Sequence, residues 1–400
     1  MPFGGKDVLY LLIFKRRHKL MNVTIETLSP IHIGSGIQYQ GNAEYLFFEK
    51  ENVLVVADEA KILDIIGNGN IHIWVGYIED KDNKKNFIEY LRTRKPGLQP
   101  SDIARRIIPL KGGKRPYFTN TLREQIHGGM GVPYIPGSSL KGSIRTALFS
   151  DTLIKAYAQN GVPEVKLGSE NRFSGKFNIN DKPLQKEVFG QDPNSDWLRM
   201  LQVGDCYFKA GTHGAFAETL NEKGNQQEYE VKGEVRQLIE YIPAGKTATC
   251  AINIPTKHRD LILRKDPQLF RTAVRQLDYA WLCQLIHAHT LRLLREEIAF
   301  FQDADLPEAG ADLPEFMQDL LKQATAFPEN TCLLRLGFGT GYRNMTGDWV
   351  KDLVKNDDLY DDIANATRRT PRYNGMPLPK SRKIMFEGDL MGYVKLSFPV

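Results

Sequence analysis

The residues best placed to do chemistry in this sequence are cations and small residues gathered at a helix start. In YIPGSSLKGSIRTALFSD, residues 134–151, Ser138 and Ser139 follow a glycine, and Lys141 and Arg145 occupy the first two turns. Leu140, Ile144 and Leu148 recur every fourth residue, which predicts a helix over 139–158 with Ser138 or Ser139 as N-cap. Cations are disfavoured there because the positive end of the helix dipole repels them. An anion held over the turn by backbone N–H groups and both side chains would resolve the mismatch; two side chains reaching into water is the plain alternative.

Two glycine loops offer related chemistry. IHIGSG carries His32, Gly34, Ser35 and Gly36, and RLGFGTGYR carries Arg335, Gly337, Phe338, Gly339, Gly341, Tyr342 and Arg343. Nucleotide-binding readings fail on spacing. Gly137 and Gly142 match two glycines of a P-loop, but Lys141 precedes the second and Ser143 stands where the lysine is required. Tyr342 stands where a dinucleotide fingerprint needs its third glycine. What such a loop does allow is close passage of a sugar-phosphate backbone, and two cations with two aromatic faces suit single-stranded RNA. An ordinary turn with Phe338 in the core is the competing reading.

Enzymatic signals are thin. His287 and His289 are two apart on a predicted helix and point to different faces, so they cannot chelate one metal as an i, i+4 pair does. Neither H-E-x-x-H nor G-x-S-x-G occurs. His32 is the one histidine placed where a ribonuclease would want a general base; a structural or substrate-contacting histidine is the alternative. No catalytic residue, metal site or cofactor is expected.

The elements that must hold these residues belong to an ordinary globular chain. Its 400 residues suit two domains, 42% are hydrophobic and 25% charged, and 53 basic against 48 acidic residues leave a net charge of +5. That excess tolerates a polyanion without demanding one. Cys206, Cys250, Cys283 and Cys332 are too widely spaced for a zinc knuckle or redox dithiol, and so few cysteines suit a reducing compartment. VLYLLIF precedes KRRHK, the reverse of a secretory signal, so residues 1–20 read as an appendage to a fold beginning near Met21. The pattern then predicts a strand at 22–28, a hairpin from YLFFE and VLVVA, a capped helix ending at Gly67, helix at 86–94, and strand at 201–211. Two strands flank the turn at 243–245, helix fills 267–301, and strands open at 331 and close the chain. Residues 159–200 and 221–234 read as polar insertions or mobile loops, and 355–383 as a charged loop. Strand, glycine loop, hairpin and helix recur in both halves, which suggests two α+β domains of related design.

Taken in order, TLSPIHIGSG, YIPGSSLKGSIRTAL, EYIPAG and GFGTGY resemble the RAMP superfamily of CRISPR systems, and within it the family of fifth subunits of type III-A (Csm) effector complexes. The likeness runs from about Met21 to the last strand; the central block is the most specific. It implies an α+β fold of two ferredoxin-like (RRM-type) RAMP domains with glycine-rich loops and helical or polar insertions, an N-terminal one at 21–215 and a C-terminal one at 216–400, with 1–20 outside. It implies a non-catalytic, cytoplasmic, crRNA-binding subunit that caps the 3′-end side of the complex and assists crRNA maturation and antiviral RNA targeting. Its partners would be crRNA, adjacent RAMP backbone subunits, target RNA indirectly and a recruited trimming nuclease, with no membrane. The RNA contacts implied are His32, Gly34, Ser35, Gly36, Ser138, Ser139, Lys141, Arg145, Arg335, Gly337, Phe338, Gly339, Gly341, Tyr342 and Arg343. A RAMP endoribonuclease that processes precursor crRNA through His32 is the alternative, since some members of the superfamily cut with a loop histidine. Neither a Gly-Gly-Asp-Asp signature nor a His-Asp doublet is present, so the large subunit's activities are not expected.

Overall fold

The computed structural model describes residues 21–80, 86–117, 119–159, 166–170, 177–223, 228–255, 277–345, 348–354 and 379–399. The appendage at 1–20, the start of the helix expected at 267–301 and most of the charged loop at 355–383 lie outside them. In chain order the strands are β1 (Met21–Thr27), β2 (Gly34–Gln40), β3 (Tyr45–Phe48), β4 (Val53–Ala57), β5 (Ala104–Pro109), β6 (Thr121–Gln125), β7 (Tyr134–Ile135), β8 (Lys166–Glu170) and β9 (Phe177–Asn180). There follow β10 (Gln202–Val203), β11 (Cys206–Tyr207), β12 (His213–Lys223), β13 (Glu228–Val231), β14 (Gln237–Tyr241), β15 (Thr247–Asn253), β16 (Thr331–Arg335), β17 (Ser381–Ile384) and β18 (Tyr393–Ser397). The helices are α1 (Glu59–Ile66), α2 (Ile71–Ile78), α3 (Phe87–Arg94), α4 (Gly137–Tyr157), α5 (Lys182–Phe189), α6 (Tyr279–Phe300), α7 (Leu313–Thr325) and α8 (Asp348–Leu353). None of the described helices is long and apolar enough to cross a membrane.

The largest core lies under an antiparallel sheet of order β10-β15-β1-β18-β16. Period-two alternation sends Val23, Ile25, Cys250 and Ile252 inward against Leu140, Ile144 and Leu148 of α4 and Leu282 and Ile286 of α6. Thr24, Thr247 and Thr249 point to the other, open face and are exposed. A second sheet, β13-β12-β14-β6-β2 with β17 also on β12, is paired mainly antiparallel, but β14 runs parallel to β6. The small sheet β3-β4-β5 packs Leu54 and Ile108 against Phe216 and Leu238 of this second sheet. Its other face is covered by Ile62, Trp74 and Leu91 from α1, α2 and α3.

Several expectations are met and several are revised. The 45–57 hairpin forms, and α1 is capped by the Asp58 carboxylate, which accepts from Ala60 and Lys61 N–H groups, and closed by Gly67 at φ 83°. IHIGSG does not form a loop: Gly34, Ser35 and Gly36 begin the edge strand β2, with an irregular register between Gly34 and Gln38. The strands either side of Pro243–Gly245 do not pair with each other, because β14 enters the second sheet and β15 the first. The polar stretch 159–200 contains α5 and buries Phe189 and Trp197 in the main core; 221–234 contains the end of β12 and all of β13. Aromatics at two positions outweighed polar composition at the rest. The division expected at 215/216 falls inside β12, and β1 lies between β15 and β18, so the two halves share sheets.

Candidate nucleic-acid interface

The three motifs meet. An open groove of about 400 Å³ is lined by His32, Ile33 and Gly34, by Ser139, Gly142, Ser143 and Thr146 of α4, and by Gly337, Phe338, Thr340, Asn344 and Met345. The helix is amphipathic three ways. Leu140, Ile144, Ala147 and Leu148 face the core, while Ser139, Gly142, Ser143 and Thr146, at spacings i, i+3, i+4 and i+7, form a small polar stripe along the groove. Lys141 and Arg145 lie on a third face.

Close backbone approach holds the C-terminal glycine loop on the N-terminal strand. Phe338 N–H donates to the His32 carbonyl at 2.9 Å. Gly337 has φ 87°, and a Cβ there would lie 2.8 Å from Ile33 Cδ1 and 2.9 Å from His32 O, so glycine is required by both conformation and space. The loop's far end is tied to α4, where the Thr146 hydroxyl donates to Met345 O at 2.6 Å.

Beneath it, Asp348 of α8 is a buried anion. It accepts from Ser150 and Arg292, with His289 Nδ1 at 3.6 Å and Arg343 at 3.7 Å. Burial drives the His289 pKa down to about 4 against the pull of Asp348. This network joins α4, α6, α8 and the turn at Tyr342–Asn344 that follows the glycines.

His32 is 3% exposed, and its Nδ1 lies 2.6 Å from Glu240 O. A carbonyl only accepts, so Nδ1 carries the proton and Nε2 presents a lone pair toward Gly34. Its ring meets Phe338 edge-on at 5.5 Å, and the Arg123 guanidinium stands 5.8 Å from the centre of the same Phe338 ring. Burial lowers the His32 pKa to about 4; the Glu240 bond opposes this, and Arg123 adds repulsion. The imidazole is therefore neutral at pH 7 and poorly matched to general-base work. Glu240, fully buried, is held by Arg106 at 2.8 Å and the Thr212 hydroxyl at 2.6 Å. Glu124 accepts from Arg106 at 3.0 Å, from Tyr39 at 2.6 Å and from Ser35 at 2.7 Å, which turns the Ser35 hydroxyl inward.

The cations behave differently from the glycines. Arg145 pairs with Asp196 at 2.7 Å and stacks on Phe189 at 3.6 Å. The N-cap is Pro136 rather than Ser138 or Ser139, and Gly137 N–H donates to the Asp205 carboxylate at 2.8 Å. An anion does sit at the helix start, and it is the protein's own. A Cβ on Gly137 would lie 2.2 Å from Val203 O, which explains the glycine. Lys141 is half-buried without an ion pair among the described residues; burial lowers its pKa, Asp196 opposes, and Arg145 adds to the lowering. Arg335 is buried, with Nε donating to Met391 O at 3.0 Å and its guanidinium over Tyr393. Arg343 is held by Glu296.

Of the other expected residues, Ser138 and Gly36 are exposed and away from the groove wall, Gly339 packs beside Lys383 and Met391, Gly341 has open space at φ 77°, and Tyr342 is half-buried in its turn. Arg123, Gly142, Ser143, Thr146, Asn344 and Met345 were not anticipated. The i, i+3, i+4, i+7 stripe was legible in the sequence; Arg123, in an unremarked strand, carried no signal. Among the described residues no three His, Cys, Asp or Glu side chains are grouped to hold a metal.

Comparison with known proteins places this architecture. Residues 24–344 match the family described as the RAMP superfamily. The Csm5 proteins of Methanocaldococcus jannaschii and Streptococcus thermophilus are 26% and 28% identical to the chain over 190 and 153 residues, 46% and 34% of this chain and 42% and 40% of theirs. The chain thus matches less than half the length of these curated relatives. Among solved structures, a chain of a type III-A Csm–crRNA–target RNA ternary complex superposes with TM-score 0.71 at 20% identity, covering 94% of this chain and 100% of that one. The crystal structure of T. onnurineus Csm5 gives 0.63 at 19% identity, with 93% and 99% covered. At such identity the likeness is one of fold.

Proposed function

The chain belongs to the RAMP superfamily and is Csm5-like, and from that premise we propose that it is a crRNA-binding subunit of a type III-A (Csm) effector complex, acting in the cytoplasm at the 3′-end side of the guide without cutting RNA. One observation carries this reading: segments about a hundred and two hundred residues apart converge on a single open groove walled by glycine backbone, hydroxyls, a histidine and an aromatic ring. Such walls admit a sugar-phosphate chain and offer hydrogen bonds to 2′-hydroxyl groups. The ferredoxin-like detail belongs to the same proposal, supported by the four antiparallel strands β15-β1-β18-β16 with α4 and α6 on one face. So do the adjacent backbone subunits, the indirect meeting with target RNA and a recruited trimming nuclease.

Labelled repeat-derived RNA mixed with the purified chain tests the proposal. The expected outcome is a retarded, intact RNA whose binding weakens steeply with salt. Cleavage that disappears in His32→Ala would replace it with the endoribonuclease reading. Retention of RNA affinity in a Phe338→Ala, Thr146→Ala double variant would remove the groove from the account.

A further inference from the structure

The open face of the first sheet holds a second groove, of about 610 Å³, which the RAMP motifs touch only at Gly245, the last residue of EYIPAG. Its floor is the exposed side of β1 and β15, where Thr24 and Thr249 are register partners and Thr247 lies two residues away. One wall is Tyr207 at the end of β11 and Lys209 just after it; the other is the turn carrying Lys246. Three features specify the occupant. Lys209 and Lys246 have no ion pair among the described residues, and Lys111 and Lys246 both repel a proton from nearby His213, whose pKa burial already lowers. The neighbouring carboxylates are engaged: Asp205 accepts from Gly137 N–H and Tyr207, and Glu26 pairs with Lys395 at 3.1 Å. Tyr207, 48% exposed, is stacked on Tyr134 with centroids 4.9 Å apart and planes at 21°, a ready platform for another flat ring.

We propose that this face is a second track for single-stranded RNA, with Lys209 and Lys246 on phosphates, the Thr24, Thr247 and Thr249 hydroxyls on ribose, and Tyr207 stacking a base. It rests on the RNA-binding reading above and adds a separate surface, on the side of the sheet opposite α4. An acidic polypeptide would satisfy the lysines but leave the stacked tyrosines without a function; a nucleic-acid strand uses both.

Fluorescence anisotropy with a labelled single-stranded 30-mer over a salt series, on the full chain, tests it. Lys209→Glu with Lys246→Glu should weaken binding at least tenfold, and Lys209→Gln with Lys246→Gln should make the log–log salt slope shallower by about 1.4, from about 0.7 per phosphate contact. Tyr207→Ala should lose about tenfold, with Tyr207→Phe largely retaining affinity. All these side chains are surface groups, and unchanged melting curves would verify folding. If both lysine pairs bind RNA as the parent chain does while Phe338→Ala does not, the second track is overturned and the first groove stands. If the parent chain binds no RNA, both fall. If poly-glutamate occupies this face and RNA does not compete, the site passes to an acidic polypeptide.

Discussion

The two glycine-bearing segments look alike in sequence and differ in use. At Gly36 φ is 93° and nothing lies within 4 Å of a would-be Cβ, whereas at Gly337 φ is 87° and a Cβ would press on the His32 carbonyl and Ile33. The first glycine serves an exposed, irregular edge strand; the second lets one backbone lie on another. The C-terminal segment is also pinned from below by the Asp348 network, while the N-terminal one is held by hydrogen bonds to Glu124 and Glu240. Positive φ at Gly36 and Gly337 therefore leaves open whether ligand or protein fills the space, and Gly34, in the same G-x-G pattern, does not adopt it.

The largest effect expected is at the base of the C-terminal segment. Asp348→Ala removes the buried acceptor that Ser150 and Arg292 share, leaving Arg292 to Glu296 and Asp352, and breaking this buried network should cost about 3 kcal/mol in urea unfolding. Hydrogen exchange should rise around 337–345 and leave 34–40 protected as before. Equal loosening of both segments would erase the distinction.

Substituting the glycines themselves sharpens it. Gly337→Ala meets both strain and a backbone oxygen and should cost about 2 to 3 kcal/mol, whereas Gly36→Ala meets strain alone and should cost about 1 kcal/mol. Denaturant midpoints at constant slope would measure the gap.

His32 joins the two segments and makes their union pH-dependent. Its pKa falls from 6.5 in the unfolded chain to about 4 in the folded one, so only the unfolded chain takes up its proton between those values. The stability it contributes is complete above pH 6.5 and is lost as pH falls toward 4. Between pH 7 and 5 the loss should be about 2 kcal/mol, and His32→Gln should remove that share of the slope.

How much of this was legible follows the physics of each signal. Strands β1 and β18 and helix α4 were readable because an apolar period records the face each turns to the main core, and β3 and β4 because burial on both faces leaves short apolar runs between turns. The strand identity of Gly34–Gly36 was not, because glycine carries no side chain to alternate. The burial of Phe189 and Trp197 was hidden by polar neighbours, and the shared sheets were hidden because pairing between β1 and β15, or β1 and β18, is a contact across most of the chain. Of the glycines in the expected loops, Gly34 and Gly337 line the groove, while Arg145 and Arg343 are engaged by Asp196 and Glu296: a sequence shows an arginine without showing the carboxylate that folding brings to it.

The cations give the finest test of that last point. Arg145 is matched by Asp196 and stacked on Phe189, so Arg145→Ala should lower stability by about 1 kcal/mol and leave the salt slope of RNA binding unchanged. Lys141 lacks an ion pair among the described residues, and Arg123 stands over the Phe338 ring at the groove, so either substituted by alanine should leave the fold intact and make the slope shallower by about 0.7. If Arg145→Ala instead flattened the slope as much as Lys141→Ala, Asp196 would have to release its partner on RNA binding. The mismatch at the helix start would then be resolved by the ligand after all. If only Lys141 and Arg123 respond, the carboxylates at 196 and 205 complete the account of why basic residues tolerate the positive end of α4.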